Sequence, residues 1–97
     1  MVDVGSKAET HREAIARGSV RLSREAYRAV VEGSVHKGDV LGVARLAGIM
    51  AAKRTSDWIP LCHPLSLDSV EVSFAPDAAG PCIGIEARTR VVARTGV

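Results

Sequence analysis

Apolar positions repeat at two different periods along this 97-residue chain. After Asp39 the spacing is helical. Val40, Val43, Ala44, Ala47 and Ala51 form one stripe, which Leu46, Ile49 and Met50 widen. Asp39 is a good N-cap, and Lys53 and Arg54 bring positive charge to the negative end of the helix dipole. The spacing predicts a helix from Val40 to about Arg54. A shorter one, Arg24 to Glu32, is predicted behind the N-cap Ser23. Tyr27, Val30 and Val31 supply its apolar face and Gly33 its stop. Beyond Ser69 the period falls to two. Val70, Val72 and Phe74 alternate with Ser69, Glu71 and Ser73, the pattern of a strand with one wet face. Residues 76 to 81 have turn composition. Ile83, Ile85, Ala87, Thr89, Val91 and Ala93 then alternate with Glu86, Arg88, Arg90 and Arg94. The two alternating runs are expected to pair as an antiparallel hairpin, giving an α+β sandwich with helices packed on one sheet face.

The N-terminal part is less determined. Met1 to Lys7 reads as an irregular lead. From Ala8 to Gly18 two readings stand. Thr10 followed by Glu13 is a capping-box pattern, and Ala, Glu and Arg favour helix. Gly18 and the alternation Ser19-Val20-Arg21-Leu22 point instead to a strand that begins earlier. In the long helix, Gly42 and Gly48 each cost up to ~1 kcal/mol against Ala. That cost is expected where another backbone comes close, from the sheet or from a second subunit.

Between the long helix and the first alternating strand lies Lys53-Arg54-Thr55-Ser56-Asp57-Trp58-Ile59-Pro60-Leu61-Cys62-His63-Pro64-Leu65, which reads as a rigid loop. Pro60 and Pro64 fix φ and push Ile59 and His63 toward extended backbone. His63 is thus a titratable ring on a stiff support, suited to acid–base or phosphate chemistry. The bland alternative is a His that only closes a turn.

Composition narrows the choice. One domain, residues 1–97, is expected, and a chain this short gains stability from association. Only 3% of residues are aromatic, so the core must be aliphatic. The net charge of +2 suits a small anionic molecule and does not call for nucleic acid. Ten of the 13 basic residues are Arg. The three Lys, Lys7, Lys37 and Lys53, stand out because an ammonium can lose its proton where a guanidinium does not. Two cysteines make no disulfide framework, no secretory segment opens the chain, and no apolar run is long enough to span a membrane. A reducing, cytoplasmic setting follows as the expectation.

Seven words in order carry a resemblance. They are Met1-Val2-Asp3-Val4, Lys7-Ala8-Glu9-Thr10, Lys37-Gly38-Asp39-Val40, Ala44-Arg45-Leu46-Ala47-Gly48-Ile49, Ala51-Ala52-Lys53-Arg54-Thr55, Ile59-Pro60-Leu61-Cys62-His63-Pro64-Leu65 and Arg94-Thr95-Gly96-Val97. Together they resemble the MoaC family, cyclic pyranopterin monophosphate synthases of molybdenum cofactor biosynthesis, over essentially the whole chain. The resemblance implies a ferredoxin-like fold, with extended structure from about Arg12. It implies a lyase that rearranges a cyclised GTP derivative, a cyclo-dihydroguanosine triphosphate, to cyclic pyranopterin monophosphate and releases pyrophosphate. It further implies a homohexamer built as a trimer of dimers. Lys37, Lys53 and His63 fall on the catalytic positions. Arg12, Lys53, Cys62, His63 and Pro64 fall on substrate-binding ones. No cofactor and no metal are expected, and neither nucleic acid nor membrane is an expected partner.

Spacing adds one constraint. Lys37 and Lys53 are sixteen positions apart, roughly 24 Å along a straight helix at 1.5 Å per residue. Both can serve one small substrate only if the site is completed across a two-fold interface. Two departures from the family accompany the match. Trp58 stands where Leu is common, and the family's catalytic carboxylates and a further Lys lie downstream of Val97, so the domain is expected to be incomplete at its C-terminus. The rival reading is a non-catalytic fragment or paralogue that binds a nucleotide or pterin, or associates with a longer homologue. A zinc site at Cys62, His63 and Cys82 is poorly spaced for chelation. A nucleic-acid face on Arg88, Arg90 and Arg94 ranks last.

Overall fold

The computed structural model describes residues 10–33, 39–61 and 66–93. In chain order the elements are β1 (Thr10–Arg21), α1 (Arg24–Val31), α2 (Val40–Lys53), the single-turn α3 (Thr55–Trp58), β2 (Ser69–Asp77) and β3 (Cys82–Ala93). The strands form one antiparallel sheet in the order β1-β3-β2. This is an α+β architecture of the ferredoxin-like kind, as the resemblance implied.

Both main helices start where their caps predict. The Ser23 side chain accepts the Ala26 amide at 3.0 Å, and the Asp39 carboxylate accepts the Gly42 amide at 2.9 Å. Each bond satisfies one donor that the first turn leaves open. Gly33, with φ 68°, ends α1 in the left-handed region that glycine enters without steric cost. The hairpin also forms as expected. β2 and β3 pair from Ser69↔Arg90 to Asp77↔Cys82, and the Asp77 carboxylate accepts the Ala79 amide at 3.0 Å to hold the turn.

The open reading of the N-terminal segment resolves to a strand. β1 pairs with β3 along its whole length, from Thr10↔Ala93 to Arg21↔Cys82. The capping pattern at Thr10 and Glu13 favours helix only locally. Twelve residues of ladder against β3 outweigh it. β3 is therefore the central strand, and it carries the two buried core residues among those described, Ile83 and Val91. Register sorts the faces. Ile83, Ile85, Ala87, Thr89 and Val91 share theirs with Val70, Val72 and Phe74 of β2 and with Arg12, Ala14, Ala16, Gly18 and Val20 of β1.

α2 packs on this face over β2. A Cβ on Gly48 would lie 3.2 Å from Val72 Cγ2, so the helix rests directly on the strand there. Arg45 donates from Nε to the Val72 carbonyl at 3.0 Å and lies 5.6 Å from the Phe74 ring centroid. Gly48 thus meets the sheet, though it is the Val72 side chain and not a backbone that comes close. Gly42 does not: its nearest atoms belong to its own cap, Asp39. A second correction concerns the stretch after Lys53. The predicted loop begins with a helical turn, α3, braced by an Arg54–Asp57 ion pair at 3.6 Å.

Candidate functional site

The contacts of α2 fix its direction. Arg45 reaches Val72 and Phe74, and Gly48 lies on Val72, so the helix runs against β2 and advances toward Ser69. Lys53 is five residues beyond Gly48, about 7.5 Å further at 1.5 Å per residue. Ser69 is three residues from Val72, about 10 Å along a strand. The C-terminal turn of α2 therefore brings Lys53, exposed, to the end of the sheet where β2 begins.

Arg12 arrives at the same end from the other edge. It stands opposite Val91 across the β1–β3 ladder, one row past the Ser69↔Arg90 pair. β1 and β2 flank β3, so their separation at this end is roughly 10 Å. Arg12 lies on the helix-bearing face. Its Nε is buried and has no hydrogen-bond partner among the described residues. A buried guanidinium N–H without an acceptor is costly. An anion at this end of the sheet would meet that need, and Arg offers a fork suited to phosphate oxygens.

Lys37, Cys62, His63 and Pro64 lie outside the described residues. What the structure gives is where the His63 segment is anchored. On one side Ile59 has φ −94° and ψ 119°, the extended backbone that Pro60 imposes. Leu61 follows with φ 61°. The left-handed region is costly for a branched residue, and the fully exposed Leu61 has no packing among the described residues to offset that cost. On the other side the segment rejoins the sheet at Asp68. The Asp68 amide donates to the Arg90 carbonyl at 2.9 Å, and its carboxylate accepts the Val92 amide at 2.7 Å. A cavity of about 220 Å³ sits at this corner, with Arg12, Asp68, Arg90 and Val91 in its lining. Asp68 carries no sequence signal of its own. Its importance appears only once β3 is seen to outrun β2.

The sheet face away from the helices is a ladder of opposite charges. Glu86 accepts from Arg17 at 2.8 Å and from Arg88 at 3.4 Å. Glu13 accepts from Arg90 at 2.7 Å and lies 3.8 Å from Arg88. The Arg17 hydrogen bond holds the Glu86 carboxyl below the ordinary value, and the Glu13 hydrogen bond raises Arg90. The guanidinium groups of Arg88 and Arg90 are thus engaged by Glu13 of β1, and Arg88 also by Glu86 of its own strand. That weakens the reading of this face as a nucleic-acid surface. Arg94, the third member of that reading, lies outside the described residues. Of the zinc candidates Cys82 alone is described, as a half-buried free thiol. No group of three or more potential metal ligands occurs among the described residues. No helix among them is long and apolar enough to cross a membrane.

Comparison with known proteins identifies relatives of the whole chain. A family profile described as the MoaC family matches residues 1–97. Proteins of Brucella ovis, Brucella canis and Brucella abortus, each named cyclic pyranopterin monophosphate synthase, are 58% identical over 97 residues. The alignment covers 100% of this chain and 59% of each relative, so the chain spans less than two thirds of their length.

Proposed function

The chain belongs to the MoaC family, and from that membership we propose that it serves molybdenum cofactor biosynthesis as a cyclic pyranopterin monophosphate synthase. The substrate in this reading is a cyclo-dihydroguanosine triphosphate. The products are cyclic pyranopterin monophosphate and pyrophosphate. The reaction is a lyase-type rearrangement carried out in the cytoplasm without a cofactor.

The observation that supports the reading best is the buried Nε of Arg12, without a partner among the described residues, at the sheet end to which Lys53 also comes. A triphosphate brings several negative charges that must be neutralised when they leave water. Arg12 binds phosphate oxygens as a fork. Lys53 neutralises phosphate or exchanges a proton with the substrate. His63, on its proline-braced segment, binds phosphate or shuttles a proton during ring opening and reclosure, and Cys62 and Pro64 shape the contact around it. Lys37 reaches the same substrate from a second subunit, since sixteen positions separate it from Lys53 in the sequence, roughly 24 Å at helical rise. The assembly is a homo-oligomer with its sites between subunits, in the hexameric form of the family.

Turnover tests this directly. The purified protein is incubated with the cyclo-dihydroguanosine triphosphate, and pyrophosphate and pterin product are followed together. Both are expected to appear in equal amounts. Arg12→Ala is expected to raise KM by roughly tenfold or more, the size of a charge-assisted hydrogen bond to phosphate. Substrate consumed without pyrophosphate, or an unchanged KM in Arg12→Ala, contradicts the reading. A second reading is favoured by the 59% span of the relatives. By it, residues 1–97 alone bind the nucleotide or associate with a longer homologue without turning it over. Calorimetric binding with no product separates the two.

A further inference from the structure

We propose that Glu13 and Arg17 are positioning residues, whose pairs with Arg90 and Glu86 select the β1–β3 register that sets Arg12 opposite Val91. The proposal deepens the synthase reading above and rests on it for the role of Arg12. Packing gives β1 little to choose by. On the helix-bearing face it offers Ala14, Ala16 and Gly18 in succession. A Cβ on Gly18 would meet no atom within 4 Å among the described residues. Moving β1 by two residues would exchange one small side chain for another. Strands of this kind specify their register weakly.

The opposite face does discriminate. Glu13 stands directly across from Arg90 and Arg17 directly across from Glu86, with bonds of 2.7 Å and 2.8 Å. The spacing Glu-x-x-x-Arg occurs on both strands, so one antiparallel register satisfies both rows together. Shifted by two residues one way, Glu13 would face Val92 and Arg17 would face Arg88, a like charge. Shifted the other way, Arg17 would face Gly84 and lose its partner. A shift of one residue would turn both side chains away from Arg90 and Glu86. Opposite charges across a ladder attract and like charges repel. An exposed ion pair adds little to overall stability. Here it decides between registers that packing leaves nearly alike. Arg12 is carried along with its neighbour Glu13, and a two-residue slip would move it about 7 Å along the strand. Glu13 and Arg17 lie on the face away from Arg12, so they act through the register and touch no substrate in this reading.

The test exchanges the charges of β1, combining Glu13→Arg with Arg17→Glu. The observed register then sets like charges together in both rows, while a two-residue slip brings the new carboxylate to Arg88. Cross-strand nuclear Overhauser contacts of Arg12 are expected to pass from Val91 to Ala93. KM is expected to rise about tenfold, as in Arg12→Ala, with kcat changed less. Adding Glu86→Arg and Arg90→Glu restores opposite charges in both rows, and Arg88, midway between them, keeps equally balanced surroundings. This fourfold variant is expected to return Arg12 to Val91 and KM toward its original value. Contacts that stay on Val91 when β1 alone is exchanged overturn the proposal. So does a fourfold variant that fails to recover them, and so does a slipped strand with unchanged KM where Arg12→Ala raises it. Should the exchanged β1 not fold, Glu13→Gln with Arg17→Gln removes both pairs without repulsion. Arg12 contacts to more than one β3 residue then uphold the proposal, and a single retained register overturns it. If the unaltered protein shows no turnover, the synthase reading fails by itself, and the Arg12 contacts still decide the register.

Discussion

Glu86 shows how a single side chain can take its character from strand register. Its own strand offers it Arg88, but its shortest bond runs to Arg17, the residue opposite it on β1. That bond lowers its pKa from the ordinary 4.5. The consequence for stability has a definite sign. A carboxyl whose folded pKa is depressed adds stability above its unfolded value, and that contribution is lost as pH falls through the lowered one. Stability is therefore expected to decline below pH 4.5 more gently in Glu86→Gln than in the unaltered protein. Chemical denaturation at a series of acidic pH values checks this. Parallel curves for the two proteins would show that the ladder contributes nothing to acid sensitivity. Arg90, shifted upward, stays charged throughout that range and adds no slope. None of these pairings was legible in the sequence. The alternation of Glu86, Arg88 and Arg90 announced a polar face, but its partners Glu13 and Arg17 sat in a segment whose local propensity favoured helix.

Among elements, α2 was the most legible and β1 the least. The cap at Asp39 and the helical stripe locate α2 almost to the residue, because both signals are local. β1 depends on a ladder with residues far along the chain, so local signals left helix and strand both open and the family resemblance favoured the strand. The short α3 was hidden behind the prolines that follow it. The close packing of α2 on β2 yields a prediction at this scale. Gly48→Ala gains up to ~1 kcal/mol of helix propensity. Its Cβ, however, would sit 3.2 Å from Val72 Cγ2 in a contact between regular elements, where overpacking costs about 1–3 kcal/mol. A net loss of about 1 kcal/mol is expected. Truncating the neighbour relieves the clash, so the same change should be neutral or stabilising in a Val72→Ala background, with a coupling of about 1 kcal/mol. Urea unfolding of the four proteins measures it. Additive effects would mean that the helix does not rest on the strand at this point.

At the scale of the molecule, the described residues bury little. Ile83 and Val91 are the buried core, while Val43, Leu46 and Met50 on α2 and Trp58 beside it are more than half exposed. Such a surface fits a subunit of an assembly better than a free-standing domain. In the proposed function such an assembly also shares the site, with Lys37 and Lys53 coming from different chains. Lys53 lies in one of the family words and Arg12 was placed by position in the resemblance, and the two come to one sheet end. The two bonds of Asp68 were not legible, because they arise where β3 outruns β2. The shared site is the claim on which the functional account turns, and subunit complementation tests it most directly. Lys37→Ala and Lys53→Ala are made separately and then co-expressed, and pyrophosphate release from the cyclo-dihydroguanosine triphosphate is measured. Each variant alone is expected to be inactive, while the mixture recovers up to roughly a quarter of full activity, because mixed two-fold pairs contain one intact site. A mixture as inactive as its parents, beside an active unaltered protein, would place both lysines' work within one chain and contradict the account.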